Sequence, residues 1–565
     1  MNRDFEKRML IVFVVLFGMT GAMMFLMPKP QGSKLPETVQ TNAAVAEPVR
    51  TIADAAVSQV ISNAVFVSEK VAPTNILISW SNETIAEIDS YGGSIRAYSA
   101  SGKWNRSKTP VSLVATNAAY RPGDLFFGKT ENIAAITDRP VYAVEEATSA
   151  SATLSAKVTW QGTPVVITKR YVMSSNYLMN LTVTFSNAGN EAVKIDSDGR
   201  SFAVGAGFSF FTKETMAQGN MLYVNTYDGR NFQKVLQGGL LQARPHVSIV
   251  TNPQWISMQD YYFLGVLRPR SGDVFGKALL LSEVKSYSEV AMGLEYLPFA
   301  LSKGEAKSFS LDIYGGPKKE SISTKAIKSL SKLFEWPVVF NWFMKPIEWF
   351  LQWGMNVLSF IPNYGIIIIL MALVIKLLLM PLSVQAAVSV KRMNLLQPKL
   401  KNLQEKYKDN QTELNQKLAE LYKKEGVNPL GGCLPMLLQI PVFFALFRVL
   451  STSVELRGAS FLWMKDLTQP DTLFSVANMP ILGNFHFNLM PILMTTLQLI
   501  QSLLQMQKNP TQGNQAMVNA ILMPVLFLFF FYGMPSGLVV YWTIQTIYTI
   551  FEQEIVNFDR KVMLK

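Results

Sequence analysis

The sequence predicts a polytopic α-helical membrane protein, an N-terminal anchor plus a five-helix core, carrying a large antiparallel β-sandwich on the exported side. Three observations predict it. Hydrophobic residues fill 49% of the 565 positions and charged residues only 16%, against about 25% charged in ordinary soluble domains. Apolar runs long enough to cross a bilayer sit at the N-terminus and in the last third of the chain. Between them, apolar and polar residues alternate with the period of a half-buried strand.

The net charge of +12 follows the same plan. Basic residues flank the apolar segments, where membrane topology places them, and do not mass into a patch for nucleic acid. No direct DNA binding is expected. Cys433 is the only cysteine, and His246 and His486 are the only histidines. An intrachain disulfide is therefore excluded, and neither a metal nor a cofactor is expected.

Met9 to Met27 is uncharged and mostly apolar, and it follows Arg3, Lys7 and Arg8. Its length approaches that of a spanning helix, so residues 1–27 read as an uncleaved anchor with a cytoplasmic N-terminus, a cleaved signal being the alternative. Residues 28–63, rich in Ala, Pro, Val, Thr and Gln, read as a flexible linker.

Residues 64–317 read as the sandwich. Leu181, Val183 and Phe185 alternate with Thr182, Thr184 and Ser186, and turn-like pieces such as Asn187-Ala188-Gly189-Asn190 and Asp198-Gly199 punctuate similar runs. A sugar-active enzyme needs paired carboxylates or a histidine base. His246 and the dispersed acids Glu145, Asp228 and Glu283 form no such constellation, so no enzymatic activity is expected. The aromatics of this stretch read as core rather than as a platform for a peptide or sugar.

Residues 318–362 mix Trp336, Trp342, Trp349 and Trp353 with lysines and glutamates. That suits amphipathic helix in the headgroup region, the alternative being a helix packed on the sandwich. Pro337 and Pro346 are expected to divide it into short pieces.

Residues 363–386 form the first core span and carry Lys376, a charge costing about 2.5–3.5 kcal/mol at the bilayer centre. Lys391, Arg392, Lys399 and Lys401 mark its cytoplasmic side. In residues 387–427 apolar residues recur at helical spacing, Leu396, Leu400, Leu403 and Tyr407, then Leu414, Leu418 and Leu421, with Asp409-Asn410 between. This reads as a cytoplasmic helical hairpin whose charges are either a solvated face or a contact for a ribosome or targeting factor.

Residues 428–556 supply four further spans. Asn428, Pro429, Gly431 and Gly432 shape a helix start, Gln439 stands beside Pro441, and an exported loop covers 451–486. The next span carries Gln498, Gln501 and Gln505, another covers about 516–533, and Met534-Pro535-Ser536-Gly537 turns the chain into the last, which ends near Phe551. Residues 557–565 form a cytoplasmic tail.

Lys376 lies about 15 Å from the end of its span if that end is Ala386, and about 6–9 Å if it is Met380 or Leu382, where the side chain snorkels easily. No Asp or Glu falls inside the other four spans, so no ion-pair partner is expected. Gln439, the Gln498/Gln501/Gln505 face, Thr543, Gln545 and Thr546 either glue helices together or line a hydrated recess around the cation. Such a groove would offer a partner to a polar stretch of polypeptide crossing the membrane. A transporter reading calls for internal repeats or paired charges, which the sequence does not display. An anchored sugar enzyme leaves the core spans unexplained. No Walker motif or dinucleotide fingerprint stands in a suitable context.

Asn363-Tyr-Gly with its intramembrane cation, Leu396-Gln-Pro-Lys, Lys424-Glu-Gly-Val-Asn-Pro-Leu-Gly-Gly-Cys433, Gln439-Ile-Pro, Ser453-Val-Glu-Leu-Arg457 and Pro535-Ser-Gly-Leu-Val-Val-Tyr541 occur in that order. As a set, covering nearly the whole chain, they resemble the YidC/Oxa/Alb family of membrane protein insertases in its Gram-negative bacterial branch. The resemblance implies a multi-pass inner-membrane protein with a hydrophilic groove open to cytoplasm and lipid. It further implies insertion of nascent membrane proteins, alone or beside the Sec translocon, and a periplasmic β-supersandwich similar to sugar mutarotases without their activity. Substrates would contact the groove at Lys376, Gln439, Gln498, Gln501 and Gln545, and the last span near Tyr541 and Trp542. Three positions depart from the usual pattern: lysine replaces the common arginine at 376, Ala372 replaces a hydroxyl residue one turn earlier, and Trp542 replaces the second tyrosine of a pair. Lysine keeps the charge but lacks the planar guanidinium fork.

Overall fold

A computed structural model describes residues 64–66 and 73–563, apart from 82, 103, 105–109, 115–120, 128–139, 197–200, 209–221, 239–248, 271–274, 283–289, 337, 409, 428–433, 480–482 and 509–512. The predicted anchor and linker, His246, and the Asn428, Pro429, Gly431 and Gly432 helix start lie outside the described residues. The chain divides into two units. Val57–Trp336 with Thr452–Arg457 forms a β unit, and Pro337–Ser451 with Gly458–Lys565 falls in a helical unit.

The alternation expected around Leu181 is the backbone of the β unit. Strand Leu178–Asn187 buries every second residue, with Leu181, Val183 and Phe185 fully covered. It pairs antiparallel with Thr163–Met173 on one side and Ala306–Pro317 on the other, placing Leu181 opposite Leu311 and Val183 opposite Phe309. These strands lie at the centre of a ten-stranded sheet, accompanied by a five-stranded and a four-stranded sheet. Turn chemistry sets the register. Gln161 and Gly162 take φ of 49° and 86° between Trp160 and Thr163, the paired positive values that match a two-residue hairpin to strand twist. At the turn after Asn187, that side chain accepts from Gly189 N at 2.9 Å and donates to Glu191 O at 2.7 Å and Leu301 O at 3.1 Å.

The aromatics of this unit pack as core. Phe202 stacks on Tyr296 with centroids 4.7 Å apart, and Phe185, Phe299 and Phe309 close around the pair. Helix α1 (Glu320–Ala326) and the 3-10 segment Lys328–Phe334 join that core through Ile327 and Leu330. Val454, from Thr452–Arg457, is buried in the same cluster, and Glu455 pairs with Lys319.

The stretch read as one interfacial region therefore divides. Its first part buries apolar residues in the β unit. Its second part is α2 (Val338–Val357), which starts just past Pro337 and runs unbroken through Pro346. The expectation that both prolines interrupt it is corrected for Pro346. Trp342, Trp349 and Trp353 are exposed on α2, while Met344, Glu348 and Leu351 are buried.

The rest of the helical unit follows in order: α3 (Tyr364–Lys406), α4 (Gln411–Glu425), α5 (Leu434–Thr452), α6 (Leu489–Lys508), α7 (Gly513–Phe531) and α8 (Ser536–Met563). The first span and the first arm of the hairpin are a single helix, α3. Asn410 caps α4, accepting from Glu413 N at 3.2 Å, and Gly426 ends it in the left-handed region. Two helical windows among the described residues, Tyr364–Ala386 and Leu489–Met506, are long and apolar enough to cross a membrane, and Gln439–Thr452 and Ala520–Phe531 are shorter apolar helices. Within the loop read as exported, Thr472–Met479 and Gly483–Asn488 pair as a hairpin that leads straight into α6.

Candidate functional site

Helix α3 starts at a side-chain cap. The Asn363 side chain accepts from Gly365 N at 2.8 Å, satisfying a donor that the first turn leaves free. Gly365 then allows a close approach: a Cβ there would lie 2.1 Å from the Phe461 ring. Helix α8 starts against the same loop, where Ser536 N donates to Gln469 O at 2.7 Å and Gly537 N to Leu467 O at 2.8 Å. Pro535 precedes these donors, and Val539 N reaches back to its carbonyl at 3.3 Å. The Asn363-Tyr-Gly and Pro535-Ser-Gly signatures thus do the same work, seating two helices on one loop.

From those seats α3 and α8 run together, and a polar seam forms between them. Tyr541, Gln545, Thr549 and Glu552 recur along one face of α8 at spacings of four, four and three. Gln545 Nε2 donates to Ala372 O at 2.8 Å and to the Tyr541 hydroxyl at 3.2 Å. Gln439, on α5, donates to the same hydroxyl at 3.1 Å. Lys376 Nζ donates to Thr549 Oγ1 at 3.0 Å and lies 2.6 Å from Glu552 Oε2. Ser383 Oγ donates to the other oxygen of that carboxylate.

The expectation that Lys376 has no ion-pair partner is therefore overturned. Glu552 stands one residue beyond the expected end of the last span, and α8 continues well past that point without a break. A span boundary drawn from hydropathy excluded the residue that a continuous helix delivers. The Lys376 and Glu552 side chains are 16% and 11% exposed, so water screens their attraction only weakly.

Among the other candidates, Lys376, Gln439, Tyr541 and Gln545 meet in the seam. Tyr541 is fully buried. Trp542 packs among aromatic rings, with its ring centroid 5.6 Å from Phe443, 5.6 Å from Phe527 and 5.2 Å from Phe531. Gln498 and Gln501 lie on α6, which packs against α8. Gln498 is buried, its Oε1 without a hydrogen-bond partner among the described residues. Thr543 and Thr546 are buried and donate to carbonyls of their own helix, Val539 O and Trp542 O. Pro441 lies inside α5.

Sequence reasoning missed Glu552, Thr549 and Ser383, and also Arg448 on α5, which lies 3.6 Å from buried Glu348 of α2. The signal for Glu552 was its place on the Tyr541 face. In the β unit it missed Lys169, fully buried, whose Nζ donates to the carbonyls of Gly92, Gly93 and Gly123 at 2.7, 3.2 and 2.8 Å. That amine fastens two turns to a strand.

Residues 82–350 match the family described as YidC periplasmic domain, and residues 356–562 match that described as 60Kd inner membrane protein. A membrane protein insertase YidC of Syntrophobacter fumaroxidans is 34% identical over 70% of this chain and 68% of its own length. One of Chlorobaculum tepidum is 29% identical over 92% of this chain and 88% of its own. Several further relatives of that name align over about half their length. A solved active YidC insertase, with its first transmembrane domain resolved, is 18% identical over 86% of this chain and 93% of its own, with a TM-score of 0.33. On the family matches and the relative aligned across more than two thirds of both chains, this chain belongs to the YidC family of membrane protein insertases.

Proposed function

We propose that this chain inserts membrane proteins into the inner membrane and assists their folding, and that the seam between α3, α5 and α8 is where the polar part of a client crosses. The observation that carries the reading is Lys376, an amine in an apolar helix held by a hydroxyl and a carboxylate and continued by Gln439, Tyr541 and Gln545. These neutral groups exchange hydrogen bonds among themselves, so an entering peptide group finds donors and acceptors already in place and its desolvation cost falls. The client's apolar flanks then leave into lipid, driven by the hydrophobic effect. The site binds and releases, and no bond is made or broken.

In this reading α3, α5, α6, α7 and α8 are the five core spans, preceded by an N-terminal anchor, with both termini cytoplasmic and the β unit periplasmic. The outer part of α3 with α4 forms a cytoplasmic hairpin that meets ribosomes or targeting factors, and the Sec translocon is a partner. Helix α2 lies at the membrane surface.

The Lys376–Glu552 pair also favours a second reading, since a transporter uses paired intramembrane charges. The family and the lack of an internal repeat in the sequence weigh against it. One experiment separates the two: insertion of a two-span client into liposomes carrying the purified chain, native, Lys376→Ala and Lys376→Arg. The expected outcome is insertion by the native chain, at least a tenfold loss with alanine and recovery with arginine. Equal insertion by all three sinks the role of Lys376, and no insertion by the native chain with the translocon supplied returns the transporter reading.

A further inference from the structure

We propose that Glu552 is a specificity-determining residue: it holds the groove neutral at rest and so sets which charges a client's translocated segment can carry. The inference rests on the groove reading above and assigns a separate role to the carboxylate that holds Lys376 there.

The geometry is that of a built site. The carboxylate is held at both oxygens, one 2.6 Å from Lys376 Nζ and the other accepting from Ser383. Thr549, one turn before Glu552 on α8, accepts from the same amine at 3.0 Å. The groups that continue the seam, Gln545, Tyr541 and Gln439, are neutral. Among the described residues the seam therefore carries one positive and one negative charge, both largely covered.

A lone amine there would attract acidic segments and repel basic ones. With Glu552 present, a client carboxylate takes Lys376 only by displacing another carboxylate, which keeps the Ser383 hydroxyl as its donor. Breaking a covered pair by removing one partner is what leaves an uncompensated charge. A client lysine finds Glu552 in the same way. The paired groove is tolerant of charge, and loss of Glu552 makes it selective.

The test uses the full chain in liposomes and three clients that differ at one position of the translocated loop, Asp, Asn or Lys. For the native chain the yields of the Asp and Lys clients are expected to agree within about threefold. For Glu552→Gln the ratio should move towards the Asp client by about tenfold, equivalent to about 1.4 kcal/mol, and Glu552→Asp should bring it back. An unchanged ratio in Glu552→Gln, while Lys376→Ala still abolishes insertion, overturns this proposal and leaves the groove reading standing. Failure of the native chain to insert any of the three overturns the groove reading itself. If Glu552→Gln does not fold, carbodiimide coupling of the native chain decides: the Lys376–Glu552 cross-linked peptide should fall at least threefold when the Asp client is arrested in the groove and persist with the Asn client. An equal cross-link with both clients overturns the proposal.

Discussion

Asp260 illustrates how burial sets the behaviour of a single charge. Its Oδ1 accepts from Tyr262 N at 2.7 Å and from Phe263 N, while Oδ2 is buried without a hydrogen-bond partner among the described residues. Burial pushes the carboxyl up to about 6, opposed by those backbone donors and by the charges of Lys318 and Arg457. The unfolded value is near 3.9. The folded β unit therefore holds a proton that the unfolded chain has released between about pH 4 and pH 6, and stability falls as pH rises through that window, by an amount on the order of 3 kcal/mol. Asp260→Asn keeps the acceptor for the two backbone donors and cannot ionise. Thermal unfolding of the full chain at pH 4.5 and pH 7 should show that this variant has lost part of the native pH dependence; identical dependence in both proteins would exclude Asp260 as its source.

At the scale of elements, α3 depends on its start. Gly365→Ala places a methyl within 2.2 Å of Phe461 ring atoms, and the loop must move to admit it. Overpacking of this kind costs about 1–3 kcal/mol, so the detergent-solubilised variant should melt several degrees below the native chain; an unchanged melting temperature would show that the loop yields freely. Helix α2 makes the complementary case for a surface. Its Trp342, Trp349 and Trp353 are exposed while Glu348 on the other face is buried near Arg448. With α2 in the headgroup region, lipids brominated near the glycerol end of their chains should quench these tryptophans more than water-soluble acrylamide does, compared with a variant in which all three are phenylalanine. Stronger quenching by acrylamide would place α2 in water. The sequence announced the α2 aromatics because their spacing is local. It misjudged Pro346 because a helix anchored by packing on one face survives a missing donor that would break an isolated peptide.

For the molecule as a whole, the sequence by itself determined the coarse fold class, a β-rich unit joined to a helical one. Period-two alternation placed Leu181, Val183 and Phe185 on a buried face, since a strand has only two faces to offer. Long apolar runs marked helices of the second unit, and ordered motifs pointed to the family. Only the tertiary structure decided which distant residues meet. Lys376 and Glu552 are far apart in the chain and share no local pattern, and their pairing depends on α3 and α8 being seated on one loop through Gly365, Gly537 and the Leu467 carbonyl. The burial of Val454 in the β unit and the packing of Trp542 on Phe531 belong to the same class. Hydropathy weighs each residue by its neighbours in sequence, whereas the energy of a covered charge is set by the groups within a few ångströms of it in space. That is why the cation was legible from the sequence alone and its counterion was not.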